Sequence, residues 1–238
     1  MAGYESPGEC QEVERVLMNE PFCVWKDVYQ VGGAALSHQA DCSVYLVDCG
    51  DLVLIDAGAG LSVRRLVANI ESLGFDMNRL KVIIATHAHI DHVGSLWQLR
   101  EKFGAQVIAH VLDAEAIETG AGVGAEFYGL SYRPCPVDAK LKGPEDTLKY
   151  GPHELKALHI PGHTPGSLAV YVDMGKRVLF GQDVHGPYFP PGADPLQAKT
   201  SLRKLLDLQA DILCEGHFGI FQPKDAVRKY IKGYLLSL

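Results

Sequence analysis

The sequence predicts an α/β fold in which two β-sheets carry helices on their outer faces. Two observations carry this reading. Strand-like apolar runs come in two sets, each with helical patterns after it. Several neighbouring strands are joined by short polar turns and so form antiparallel hairpins, whereas one doubly wound sheet would need long crossovers throughout.

In chain order, residues 10–19 set Val13, Val16 and Leu17 among charges, a short helix. Val24–Val31 alternates weakly and ends at Gly32-Gly33, a strand and turn. Ser43–Val47 and Leu52–Asp56 flank the polar turn Asp48-Cys49-Gly50-Asp51, a hairpin. Leu61–Leu73 has helical spacing and stops at Gly74. Lys81–Ala85 is a buried strand, Val93–Phe103 a helix closed by Gly104, and Gln106–Ala109 the next strand. Residues 119–136 are rich in glycine and proline, and a loop of that length inside a compact fold is usually functional or mobile. Leu148–Tyr150 and Glu154–Ile160 read as strands, and Leu168–Asp173 with Arg177–Phe180 as a hairpin. A second Pro/Gly loop spans 184–196, followed by a helix (Thr200–Leu208), a strand (Asp211–Cys214) and a closing helix (Ala226–Leu238).

The 238 residues are read as one domain, 1–238, large enough to bury roughly 70–75% of its unfolded surface without metal or disulfide support. Hydrophobic residues make up 47% and charged residues 21%, which excludes a disordered chain. Apolar stretches are broken well short of ~18 residues, so no transmembrane helix and no membrane partner is expected. The start, MAGYESPGEC, lacks the basic and apolar regions of a secretory signal. A formal charge of −7, with bases in pairs such as Arg64-Arg65, argues against a groove that tracks phosphates. The six cysteines form no CxxC pair and read as reduced residues of a cytoplasmic protein. The expected partner is a small-molecule substrate, with a homodimer left open.

Chemistry concentrates in Thr86-His87-Ala88-His89-Ile90-Asp91-His92. By composition, such a pattern arises on the order of once in a thousand chains of this size. In an extended segment residues i and i+2 share a face, so His87 and His89 can converge on one ion. Asp91 and His92, where the chain turns into the next helix, can face the same cavity from another side. Imidazoles with a carboxylate suit zinc, and iron or manganese less selectively. Three further candidates sit at strand ends: His163 in Pro161-Gly162-His163-Thr164-Pro165-Gly166, Asp183 in Gly181-Gln182-Asp183, and His217 in Glu215-Gly216-His217.

His-x-His-x-Asp-His after an apolar strand, then Gly-His-Thr-Pro-Gly, Gly-x-Asp and Gly-His, in this order over residues 24–220, resembles the metallo-β-lactamase fold superfamily. Ile55-Asp56-Ala57-Gly58 is similar to that family's second-strand motif. The resemblance implies a four-layer αββα sandwich with the site along one edge. It implies two divalent ions, zinc first, with iron or manganese as alternatives. His87, His89 and His163 would hold one, and Asp91, His92 and His217 the other. Asp183 would bridge them, and Asp56 would orient the cluster. It further implies a bridging hydroxide as nucleophile, with Asp91 also moving a proton to the leaving group.

Within the superfamily the chain is similar to glyoxalase II-like hydrolases of thioesters, which keep an aspartate where Asp183 stands. Many penicillin-hydrolysing relatives carry another residue there, which lowers the β-lactamase reading. Only Ala226–Leu238 remains where glyoxalase II has its glutathione-binding helical extension. A lactonase shares all seven ligands but usually has a tyrosine where this chain has Gly186, flanked by His185 and Tyr188. A mononuclear iron persulfide dioxygenase is a third alternative. The flavodiiron branch is disfavoured because it carries a glutamate where His89 stands. Loops 119–136 and 184–196 are expected to cover the metal edge, with Tyr128, Tyr132, His185 and Tyr188 as candidate substrate contacts.

Overall fold

The computed structural model describes residues 19–189 and 192–238; the helix expected over 10–19 lies, up to residue 18, outside the described residues. One sheet holds seven strands in sequence order: β1 (Phe22–Trp25), β2 (Val28–Gly32), β3 (Val44–Cys49), β4 (Asp51–Ile55), β5 (Leu80–Ile84), β6 (Gln106–His110) and β7 (Ala139–Leu141). β1 to β4 pair antiparallel, and β4 to β7 pair parallel. The helices between these strands are α1 (Val63–Ser72), α2 (Ile90–Val93), α3 (Leu96–Phe103) and α4 (Val111–Thr119). The other sheet runs β13 (Ile220–Phe221), β12 (Ile212–Glu215), β11 (Arg177–Gln182), β10 (Leu168–Asp173), β9 (His153–His159), β8 (Glu145–Tyr150), and is antiparallel except between β11 and β12. Helices α5 (Pro195–Asp207) and α6 (Lys224–Ser237) belong to this half.

Side-chain alternation turns these elements into four layers. Along β4, Leu52 and Leu54 pack with Leu66 and Ile70 of α1, while Val53 and Ile55 pack with Phe180 and Val170 of the second sheet. Along β10, Val170 and Val172 face the first sheet, and Ala169 and Tyr171 meet Leu202 and Leu205 of α5 and Val227 of α6. The layers are therefore helix, sheet, sheet, helix, the αββα sandwich that was expected. Strands buried on both faces must be apolar at every position, which is why 52–55 and 82–85 are unbroken apolar runs.

Several elements differ from the sequence reading. Residues 24–31 are a hairpin, because Lys26 adopts φ 46° at the turn, a conformation that a lysine does not announce. Helix α5 starts at Pro195: the Asp194 carboxylate accepts from Leu196 N and Gln197 N, and proline occupies the first turn, where it is tolerated. Helix α4 fills a stretch, from residue 111, for which no element was expected, and ends where the expected loop begins. The helix expected over 93–103 is two, parted at Gly94-Ser95, because Gly94 packs against the Ala59 backbone so closely that a Cβ there would overlap the carbonyl.

Strand direction then places the site. β4, β5 and β6 are parallel, so their C-terminal ends share one edge; β9, β11 and β12 likewise run in one direction. The two sheets are tied at this edge by Leu168 N donating to Thr86 O and Tyr45 Oη donating to Glu215 O. Among the described residues no helix is long and apolar enough to cross a membrane.

Candidate metal centre

The segment after β5 is anchored by a buried carboxylate. Asp56, at the end of β4, accepts from Thr86 N and Thr86 Oγ1 at 2.8 Å, from Gln182 Nε2 at 2.5 Å, and faces His92 Nδ1 at 2.7 Å. Because the Thr86 hydroxyl donates to Asp56, its oxygen is left to accept from His87 Nδ1 at 3.2 Å. Both rings thus carry their proton on Nδ1 and turn an Nε2 lone pair inward. His163 is set the same way, its Nδ1 donating to Pro187 O at 3.1 Å.

Three imidazole nitrogens converge: His87 Nε2 lies 3.0 Å and His163 Nε2 2.9 Å from His89 Nδ1. Asp183 Oδ2 closes this group at 3.2 Å from His163 Nε2 and 3.7 Å from His87 Nε2. The other oxygen, Asp183 Oδ1, faces a second group, 3.3 Å from His92 Nε2 and 3.5 Å from His217 Nε2. Asp91 Oδ2 completes it at 3.2 Å from His217 Nε2 and 3.5 Å from His92 Nε2. All seven residues singled out as ligands are thus brought to one edge, in two groups that meet at Asp183.

The electrostatics of the cluster suit a cation. Asp56, Asp91 and Asp183 are nearly or fully buried, and the ion pairs of all three are to histidines. Burial pushes Asp56 up, whereas Asp183, for which burial works in the same direction, is held well below the usual carboxylate range by His92 and His163. Burial and the neighbouring His92 keep His87 neutral, and burial with His163 pushes His89 down to about 4. His92 goes the other way: burial lowers it, but Cys42, Asp183, Asp91 and Asp56 raise it well above the ordinary imidazole value. Two atoms, His92 Nε2 and Asp183 Oδ1, are buried without a hydrogen-bond partner. Converging imidazoles, carboxylates without a basic side chain and two orphaned ligand atoms are the donor set that a divalent metal satisfies.

Of the four candidate contacts, Tyr128 stands close enough for the charges of Asp91 and Asp183 to act on its hydroxyl. The His185 ring lies 5.2 Å from that of His217, with Nδ1 donating to the buried Glu215 Oε1 at 2.8 Å. The Tyr188 ring lies 6.4 Å from that of His163, but its hydroxyl is spent on the Asp183 and Val184 carbonyls. Tyr132 is not brought into this group: its hydroxyl donates to Ile117 O and its ring packs against the outer core. A tyrosine in a glycine-rich loop has no local signal to distinguish a packing role from a binding one.

Two supporting carboxylates were missed. Asp113 accepts from Ala88 N, Gly166 N and Thr164 Oγ1, joining the His87–His89 segment to the His163 turn. Glu215 accepts from His217 N, Phe218 N and His185 Nδ1. Glu215 sat visibly beside a candidate ligand, whereas Asp113 lies in an unpredicted helix 50 residues before the turn it holds (113 to 163).

The metallo-β-lactamase superfamily model matches residues 39–217. Hydroxyacylglutathione hydrolase GloC of Haemophilus influenzae is 31% identical over 182 residues, covering 74% of this chain and 83% of that protein. An uncharacterized protein of Aquifex aeolicus is 31% identical over 188 residues, covering 75% and 84%. Among solved structures, a metallo-β-lactamase of Cronobacter sakazakii superposes with a TM-score of 0.78 at 25% identity, covering 92% of this chain and 95% of that one. The chain belongs to the metallo-β-lactamase superfamily and is a glyoxalase II-like member of it. It is a hydrolase of that superfamily, whose members use divalent metal ions.

Proposed function

We propose that the chain is a two-metal hydrolase of small thioesters or esters. The observation that carries the reading is the Asp183 carboxylate, which turns one oxygen to the His87–His89–His163 group and the other to the Asp91–His92–His217 group. Two zinc ions, or a mixture with iron or manganese, would sit in these groups. When bound, such ions polarise a carbonyl and bring a shared water to a pKa of about 7. The chain's own part is to hold the ligand atoms in place: Thr86 and Asp56 fix His87 and His92, and Pro187 fixes His163. Asp91 spends Oδ2 on His217, and its Oδ1 is the atom that would move a proton to the leaving group.

The thioester reading draws on likeness to the Haemophilus hydroxyacylglutathione hydrolase. The five described cysteines are thiols, in keeping with a cytoplasmic protein acting on a free small molecule. Elemental analysis of chelator-free protein, with a panel of a thioester, a lactone, a β-lactam, a phosphodiester and glutathione persulfide, tests the proposal. About two first-row metals per chain and hydrolysis of the thioester are expected. One iron per chain with oxygen uptake on the persulfide would overturn it.

A further inference from the structure

The segments that frame the metal centre are 57–62, 86–99, 119–132, 160–168, 182–189, 192–194 and 214–223, and none contains a lysine or arginine. Arg100, Arg133 and Lys224, the bases that follow three of them, each have a partner, and that of Arg133 lies within the framing segments. Arg100 pairs with Asp138, the Arg133 guanidinium stacks on Trp97, and Lys224 donates to Gln209. The framing segments add Glu126 and Asp194 to the carboxylates of the centre, and the whole chain is at −7. Among the described residues, the carboxylates or phosphates of a substrate meet no lysine or arginine of these segments.

The same segments expose aromatic rings. Phe218 follows the ligand His217, is 60% exposed, and packs edge-on against His185 at 4.8 Å. Tyr128 is 47% exposed and feels the charges of Asp91 and Asp183. Two rings carried by different loops, Phe218 and Tyr128, border the centre, in a chain whose described large apolar side chains are mostly buried. Exposed aromatic surface beside a polar centre suits an apolar group of a ligand.

We propose that the substrate is uncharged, with an aromatic or branched apolar acyl group lying against Tyr128 and Phe218, and that an anionic glutathione conjugate is a poor substrate. This rests on the hydrolase reading above and narrows it. The bond broken is the acyl carbon–sulfur or carbon–oxygen bond. Water supplies the new acyl–oxygen bond, and the leaving thiol or alcohol takes a proton.

The test uses the zinc-loaded full chain and three thioesters: S-phenylacetyl-N-acetylcysteamine, its S-acetyl counterpart, and S-phenylacetylglutathione. The neutral phenylacetyl compound should exceed the glutathione compound in kcat/KM by ~10-fold or more, and exceed the acetyl compound by a similar factor. Phe218→Ala, and independently Tyr128→Ala, should lower the phenylacetyl-to-acetyl ratio by roughly fivefold with zinc content unchanged. Calorimetric binding of phenylacetamide, which carries no charge, should weaken in the same variants. A preference for the glutathione compound, or a ratio unmoved in both variants, overturns this proposal and leaves the hydrolase standing. No turnover of any of the three overturns the thioesterase reading, and this proposal with it.

Discussion

Gln182 donates its side-chain amide to Asp56 Oδ2 at 2.5 Å, and both residues hold left-handed backbone, φ 45° and φ 62°. Left-handed backbone in two non-glycine residues costs energy at each, and both lie at the C-terminal end of a strand, beside the metal ligands. Asp56 closes β4 of one sheet and Gln182 closes β11 of the other, so their bond ties the two ligand-bearing edges together. Gln182→Ala should weaken metal binding by ~10–100-fold, as losses of partners that orient ligands do. Titration of the metal-loaded protein with a competing chelator measures it, and wild-type retention would mean that this link does not hold the centre.

Asp183→Ala should cost one metal and on the order of two to four decades of kcat. Folding should survive, since the core does not depend on the metal. Asp183→Asn separates a bridge from a mere turn cap. Metal stoichiometry and turnover measured on one preparation decide, and two metals with undiminished hydrolysis would end the two-metal assignment.

Gly216 offers a test that replaces no ligand. A Cβ built there would overlap Asp183 Oδ1 and crowd Gln182. Gly216→Ala should therefore displace the Asp183 carboxylate and lower metal content and kcat together, while a chelator-treated sample melts within a few degrees of wild type. Full metal content in this variant would show that the carboxylate has room to shift.

Asp113→Ala would strand three donors, Ala88 N, Gly166 N and Thr164 Oγ1, in a buried setting. Each unsatisfied buried group costs ~1–3 kcal/mol. The melting temperature should fall clearly, and metal should be lost more readily than from wild type. Differential scanning and chelator competition read the two effects.

His110 offers a pH dependence away from the ligands. It is buried, stacks at 3.9 Å on His159, and burial followed by that neighbour pushes it down to about 4. An unfolded histidine takes up its proton near pH 6.5. Between about pH 6.5 and 4 the unfolded chain therefore binds more protons than the folded one, so stability falls as pH drops through that window. His110→Asn keeps an acceptor for Leu112 N but cannot titrate. Denaturant melts at pH 7 and pH 5 should show a smaller loss in the variant, and equal losses would refute the assignment.

The ligand set was legible because its grammar is local. An apolar run says strand, and a histidine or aspartate just past the run says strand end. The spacing of His87, His89, Asp91 and His92 needs no tertiary knowledge to read as metal-binding. The supports were less legible because each acts at long range. Asp113 serves a turn 50 residues on (113 to 163), and Gln182 reaches back 126 residues to Asp56. Tyr128 and Tyr132 lie four residues apart in one loop, yet one stands near the ligands and the other packs into the core, a difference set by how the loop folds back on α4.

By itself the sequence determined the element grammar, the two-sheet class and the identity of the seven residues that gather at the edge, because periodicity and residue chemistry are local properties of the chain. Only the tertiary structure decided how Asp183 divides its oxygens between two groups and which nitrogen each histidine turns inward. It alone decided that Tyr128 and Phe218, from separate loops, stand by one centre. Those are matters of strand direction and hydrogen-bond closure between segments far apart in the chain, and no local pattern encodes them.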